Sequence, residues 1–260
     1  MGNAKAARVL LDFGRELETS SAAQASGGFT GIALADSLIE HEPNAFLLGT
    51  LFTQGIPAER AWAGPWLLRE RLGTLDLDYL ASHPEAVRAA VQKPPMLHRF
   101  KETLPRWISA AAQRLLAKYD GDASNVWPGG DHVIDVTERL SAFQGIGRKK
   151  AVMAVEILVR HFGVELLGRE CGQVAYDVQV RRVFLRSGIA DVDSVEAIER
   201  AAAQACPEAP GTLDLAAWLV GRDWCRPKAP QCDRCRLKEP CARRTELTPV
   251  GVGARGARAG

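Results

Sequence analysis

A chain of 260 residues with 47% hydrophobic residues can bury a real core, in one large domain or two small ones. The charged fraction of 25% is ordinary, and a net charge of +2 is too small to name a partner, so the distribution of charge matters more. No apolar run of about eighteen residues is present, which excludes a membrane span, and MGNAKAARVLLDFGREL lacks the apolar core and cleavage site of a signal peptide. Ala6 stands where N-myristoylation requires Ser or Thr. A cytoplasmic protein is expected, and there clustered cysteines bind metal or do redox chemistry more often than they form structural disulfides.

Taken in chain order, the text reads as helices. Apolar residues recur at steps of three and four in AARVLLDFGREL (6–17), NAFLLGTLF (44–52), RWISAAAQRLLAKY (106–119), KKAVMAVEILVRHF (149–162) and DVQVRRVFLRSG (177–188). Residues 18–28, ETSSAAQASGG, read as a loop between the first helix and the main body. Pro and Gly punctuate the chain at 56–57, 94–95, 128–130, 145–147 and 207–211. Alternating strand-like runs are nearly absent, and no repeat of fixed period is found, so the fold class is all-α. The last stretch, 246–260, is poor in apolar residues and reads as a disordered tail.

Three stretches carry chemistry. Around LSAFQGIGRKKAVMAVEIL (140–158), Val133, Val136, Leu140 and Phe143 share one helical face before the turn, and Ala151, Val152, Val155, Leu158, Val159 and Phe162 share another after it. Gly145-Ile146-Gly147 reverses the chain between them, and a helix starting after such a turn offers backbone N–H groups to a phosphate. By residue type alone, Lys149 and Lys150 simply bind phosphate. In QVAYDVQVRRVFLRSGI (173–189), Asp177 stands where a helix N-cap would stand. In WCRPKAPQCDRCRLKEPC (224–241), four of the six cysteines, Cys225, Cys232, Cys235 and Cys241, have the spacing C-x6-C-x2-C-x5-C. Four thiolates suit zinc or an iron–sulfur cluster; structural zinc more often uses two tight C-x2-C pairs, and here only the middle pair is tight. From Arg222 to Arg244 eight Lys and Arg face three acids, a local +5 that includes Arg226 and Lys228.

These stretches, in this order, resemble the endonuclease III-like DNA glycosylases of the helix-hairpin-helix superfamily, over about residues 35–242. The cysteine spacing resembles that family's C-terminal loop, which implies a [4Fe-4S] cluster on Cys225, Cys232, Cys235 and Cys241. Gly-Ile-Gly-Arg-Lys matches the family hairpin residue for residue, with Phe143-Gln144 in place of Leu-Pro, and puts the nucleophilic lysine at Lys149. The catalytic aspartate falls on Asp177, followed by the matching Arg182-Val183. Tyr176 and Gln179 depart from the family pattern, as does the longer chain around GVELLGRECGQV; these changes are expected to alter the walls of the base pocket. LLGTLFTQGIPAERAW (47–62) is similar to the family's early helix and loop, where Gln54 would enter the space left by a flipped base, although a surface Gln at a helix end fits the same text. Gly145, Gly147, Arg148, Lys150, Arg226 and Lys228 would hold the DNA backbone.

The resemblance implies a two-lobed fold: residues 1–34 pack with the cluster lobe, 35–160 form a helical barrel ending in the hairpin at about 133–160, and 161–245 form the cluster lobe. It implies a monomeric base-excision repair enzyme acting on double-stranded DNA with a damaged or mismatched base, oxidised pyrimidine by default. An unprotonated amine would attack C1′ and displace the base, leaving a Schiff base that permits β-elimination. A helix N-terminus and neighbouring cations disfavour an ammonium at 149. A nearby carboxylate would stabilise the positive sugar. Three other readings stay open: a monofunctional glycosylase for uracil, mispaired thymine or an alkylated base; a non-catalytic DNA-binding iron–sulfur protein; and a zinc nucleobase deaminase, suggested by His83-Pro84-Glu85 with Cys232-x2-Cys235.

Overall fold

The structure, a computed structural model, describes residues 2–19 and 29–244. Among these residues there are thirteen α-helices and no strand; one isolated parallel bridge joins His132 and Leu167. The helices are α1 (Ala4–Thr19), α2 (Ala33–His41), α3 (Pro43–Phe52), α4 (Ala58–Trp62), α5 (Gly64–Leu72), α6 (Leu77–Ser82), α7 (Pro84–Gln92), α8 (Thr103–Lys118), α9 (Val133–Ser141), α10 (Arg148–Arg160), α11 (Val178–Ser187), α12 (Val195–Ala205) and α13 (Leu213–Asp223). The all-α expectation holds, and each of the five periodic segments is a helix. Glu18 and Thr19, expected in a loop, instead close α1. The rest of that loop, 20–28, and the tail at 246–260 lie outside the described residues. No described helix is long and apolar enough to cross a membrane.

The chain forms two compact units, one of residues 16–175 and one of residues 2–15 with 176–244. The larger unit is built around α3, whose residues from Ala45 to Phe52 are all buried. A helix apolar on every side belongs at the centre of a domain, and Pro43 starts it at the one turn where its missing N–H is harmless. Gly49 lets the Trp62 ring lie against α3: a Cβ there would sit 2.7 Å from the ring. The amphipathic α8 buries Leu104, Ile108, Ala111 and Leu115 and leaves Arg106, Gln113 and Lys118 in solvent. The two faces read from sequence around the 145–147 turn bury Val133, Val136, Leu140 and Phe143 from one arm and Ala151, Val152, Val155 and Leu158 from the other.

In the smaller unit α11 lies along α13. Gly221 makes the close approach possible, since a Cβ there would come 2.7 Å from Cβ of Gln179. The start of α1 belongs to the same unit. Asn3 Nδ2 donates to Ser187 O at 2.9 Å, and the Arg236 guanidinium lies 4.0 Å from the Phe13 ring centroid.

Candidate active site

The turn between α9 and α10 is shaped by Gly145, at φ +90°. A Cβ there would lie 2.5 Å from the Trp107 ring, so both backbone and space require glycine. Gly145→Ala is expected to destabilise the larger unit by about 2–4 kcal/mol, read as a lower urea midpoint at unchanged m-value. Gly147 is the N-cap of α10 and is exposed, and a Cβ on it would meet nothing within 4 Å. Arg148 is also exposed, and its Nε donates to Gln173 Oε1 at 3.2 Å.

The two lysines have different fates. Lys149 is exposed in the first turn of α10. Lys150, read above as a phosphate contact, is only 5% exposed; its Nζ donates to Leu51 O at 2.8 Å and lies 5.5 Å from the Trp107 ring centroid. A side chain so enclosed cannot reach DNA, which corrects that expectation. The reason is helix phase: Lys150 shares a face with the buried Ala154, Ile157 and Leu158. Burial first, and the Lys149 charge second, lower its pKa from 10.5 to about 8. It remains an ammonium at neutral pH, and its contribution to stability rises with pH between about 8 and 10.5, where the unfolded chain alone holds the proton.

Gln54 is exposed just beyond the end of α3, before Gly55 at φ +72°, and its N–H donates to Phe52 O at 2.7 Å. Beneath it lies a residue that no motif singled out. His98 is 1% exposed; its Nδ1 accepts the Phe100 N–H at 3.0 Å, so Nε2 carries the proton given to Phe52 O at 3.1 Å. Burial is the main cause holding its pKa below 6.5. The neutral imidazole therefore contributes stability that is present above pH 6.5 and lost as acid protonates the unfolded chain first. The urea midpoint should fall from pH 7.5 to pH 5.5, with a shallower fall in His98→Gln.

Asp177, in the smaller unit, is the N-cap of α11, accepting the Gln179 N–H at 2.8 Å. The cap reading is thus correct whatever else the carboxylate does. The departures beside it have structural partners. The Tyr176 hydroxyl donates to Asp193 Oδ1 at 2.7 Å, and Arg181 pairs with both oxygens of the same carboxylate. Arg181 is the main cause holding Asp193 below the usual carboxylate range. Gln179 packs on Gly221 and accepts from the Arg182 guanidinium. Arg182 also donates to Cys225 O and, at 2.8 Å, to Gly221 O, so it ties α11 to the end of α13 and the start of the cysteine loop.

The four loop cysteines are free thiols of intermediate exposure. Cys235 is raised chiefly by burial, but also by the charges of Cys225, Cys241 and Cys232, so all four sulfurs share one neighbourhood. Donors point at three of them: Leu237 N–H to Cys235 and Arg243 N–H to Cys241, both at 3.4 Å, and Arg186 to Cys225 at 3.9 Å. Four soft sulfur donors of this kind suit an iron–sulfur cluster or zinc alike. Arg226 and Lys228 are exposed on this loop.

One grouping had no signal in the text: His132, Glu170 and Cys171 bring ligand atoms within 4.8 Å of one another. His132 Nδ1 already accepts the Ile134 N–H as the cap of α9, which places the ring proton on Nε2 and leaves neither nitrogen ready for a metal. The deaminase reading loses its support, since His83 stacks on Tyr79 at 4.3 Å, Glu85 pairs with Arg88 at 3.6 Å, and neither joins a group of three close metal ligands among the described residues.

No family model and no curated protein matches the chain. Solved structures do. A trapped endonuclease III–DNA covalent intermediate matches at TM-score 0.59 and 24% identity, over 79% of this chain and 84% of that one. A thermostable thymine-DNA glycosylase matches at TM-score 0.59 and 12% identity, over 92% and 95%. An 8-oxoguanine DNA glycosylase from Pyrobaculum aerophilum, complexed with 8-oxoguanosine, matches at TM-score 0.51 and 19% identity, over 85% and 88%. The fold is therefore that of the helical helix-hairpin-helix DNA glycosylases.

Proposed function

We propose that this protein is a base-excision repair DNA glycosylase with abasic-site lyase activity. The observation that carries the reading is the contrast between the two lysines: the one matching the nucleophile is exposed at the start of the hairpin helix, and its neighbour is held inside. Lys149 would attack C1′ of the flipped nucleotide as the C1′–N bond breaks, with the electron pair leaving on the base and the amine proton passing to a carboxylate, Asp177. Asp177 would also stabilise the positive charge growing on the sugar. The C1′–O4′ bond would then open to leave the Schiff base, and loss of a C2′ proton with departure of the 3′ phosphate would nick the strand. Gln54 would fill the gap in the stack, and Gly145, Gly147, Arg148, Arg226 and Lys228 would hold phosphates. Oxidised pyrimidine is the proposed substrate class, double-stranded DNA the partner and a monomer the working form. That one fold neighbour was captured as a covalent DNA intermediate supports the chemistry.

Cys225, Cys232, Cys235 and Cys241 would hold a [4Fe-4S] cluster, which when bound would fix the basic loop in shape. Iron and acid-labile sulfide should each be present at about four per chain. Cys235→Ser should lose the cluster and weaken binding to undamaged duplex, with a shallower dependence on salt. Incubating single-lesion duplexes with cluster-loaded protein and borohydride tests the whole reading. Trapping is the expected result; base release without trapping would indicate a monofunctional enzyme and leave Lys149 a phosphate contact.

A further inference from the structure

The end of α3 is held in an unusual way. The last carbonyls of a helix lack intrahelical donors and are ordinarily satisfied by a local cap or by water. Thr50 O is satisfied locally, by Thr53 Oγ1 at 2.7 Å. The next two are reached by buried side chains from distant parts of the unit. Lys150 Nζ, 99 residues away, donates to Leu51 O at 2.8 Å, and His98 Nε2, 46 residues away, donates to Phe52 O at 3.1 Å. Phe52 O also takes the N–H of Gln54 at 2.7 Å, so the bond that shapes the Gln54 turn and the bond from His98 meet at one oxygen.

A buried ammonium is an expensive way to satisfy one carbonyl, and a methionine would fill the same volume beside Trp107 without that penalty. Partial compensation comes from the negative end of the α3 dipole and from the Trp107 face. What the ammonium provides that a methionine cannot is a directional link. One end of it is the first turn of α10, next to Lys149. The other is the last turn of α3, three residues before Gln54.

We infer that Lys150, together with His98, is a positioning residue that fixes the Gln54 turn against the hairpin helix that carries Lys149. The inference rests on the proposed glycosylase reading for its purpose, though not for its geometry. It assigns the clamp to the flipping step: the side chain that enters the vacated stack is held in register with the helix that would do the chemistry.

The test uses cluster-loaded full-length protein and two readouts. In Lys150→Met, hydrogen exchange at the amides of residues 53–56 should speed up about tenfold or more while α8 keeps its wild-type rates. Single-turnover base release from a duplex with a fully paired target should fall by about tenfold, while trapping on a duplex that already carries an abasic site stays within about twofold. His98→Ala should raise exchange at the same amides and His98→Gln, which keeps a donor, should restore it; this pair decides the matter if Lys150→Met does not fold. Unchanged exchange at 53–56 in Lys150→Met and His98→Ala, or an equal loss on paired and abasic duplexes, would overturn the inference. A wild-type protein that releases no base would overturn the glycosylase reading alone, and exchange at 53–56 would then decide the clamp.

Discussion

Lys149→Ala is expected to abolish borohydride trapping and strand scission, a fall on the order of 10³-fold or more. The neighbouring lysine is not placed to take over. Lys150 is one residue along α10, but its Nζ is bound to Leu51 O beneath Trp107 and points into the larger unit. The same burial makes Lys150→Met the natural control, since trapping on an abasic duplex should survive it. Lys149→Arg separates the two roles an exposed cation can have. A guanidinium still binds phosphate but does not deprotonate and forms no Schiff base. DNA affinity should therefore be retained in Lys149→Arg with trapping absent. If both variants lost only affinity, Lys149 would be a phosphate contact.

Asp177→Asn is expected to slow base release by about 10²–10³-fold with little change in stability. Asn caps a helix about as well as Asp, and the oxygen accepting the Gln179 N–H would be kept. Only the charge is removed. Asp177→Ala removes both, and should add a stability loss of about 1 kcal/mol from the cap. A single-turnover assay beside a urea melt reads the two quantities independently. Equal activity of Asp177→Asn and wild type would reduce Asp177 to the cap that the structure already makes of it.

Much of the fold was legible because the periodic segments are strongly periodic. NAFLLGTLF was read as a helix from its apolar steps, whereas its burial on every side from Ala45 to Phe52 is what the structure adds. The hairpin was legible from two glycines between apolar faces, and Gly145 is required there by its φ and by Trp107. The loop expected at 18–28 began too early because Glu18 and Thr19 differ little from the polar residues after them, and helix ends are set by packing. The burial of Lys150 was present in the phase of α10, since Ala154, Ile157 and Leu158 repeat on its face, but the flanking Arg148 and Lys149 hid it in a run of like charge. His98 and Gln179 were out of reach in a different way. Their partners, Phe52 O and Gly221, lie 46 and 42 residues away and have no side-chain signature that could announce the contact. Tyr176 and Gln179, read as walls of a base pocket, have bonds to Asp193 and Arg182 inside the smaller unit.

The most direct test is a panel of duplexes, each with one lesion or mismatch, incubated with cluster-loaded protein and scored separately for base release and covalent trapping. Release and trapping are expected on at least one oxidised-pyrimidine duplex, with trapping lost in Lys149→Ala. Tight binding to every duplex with release from none would contradict this, and would leave a DNA-binding protein built on a glycosylase fold.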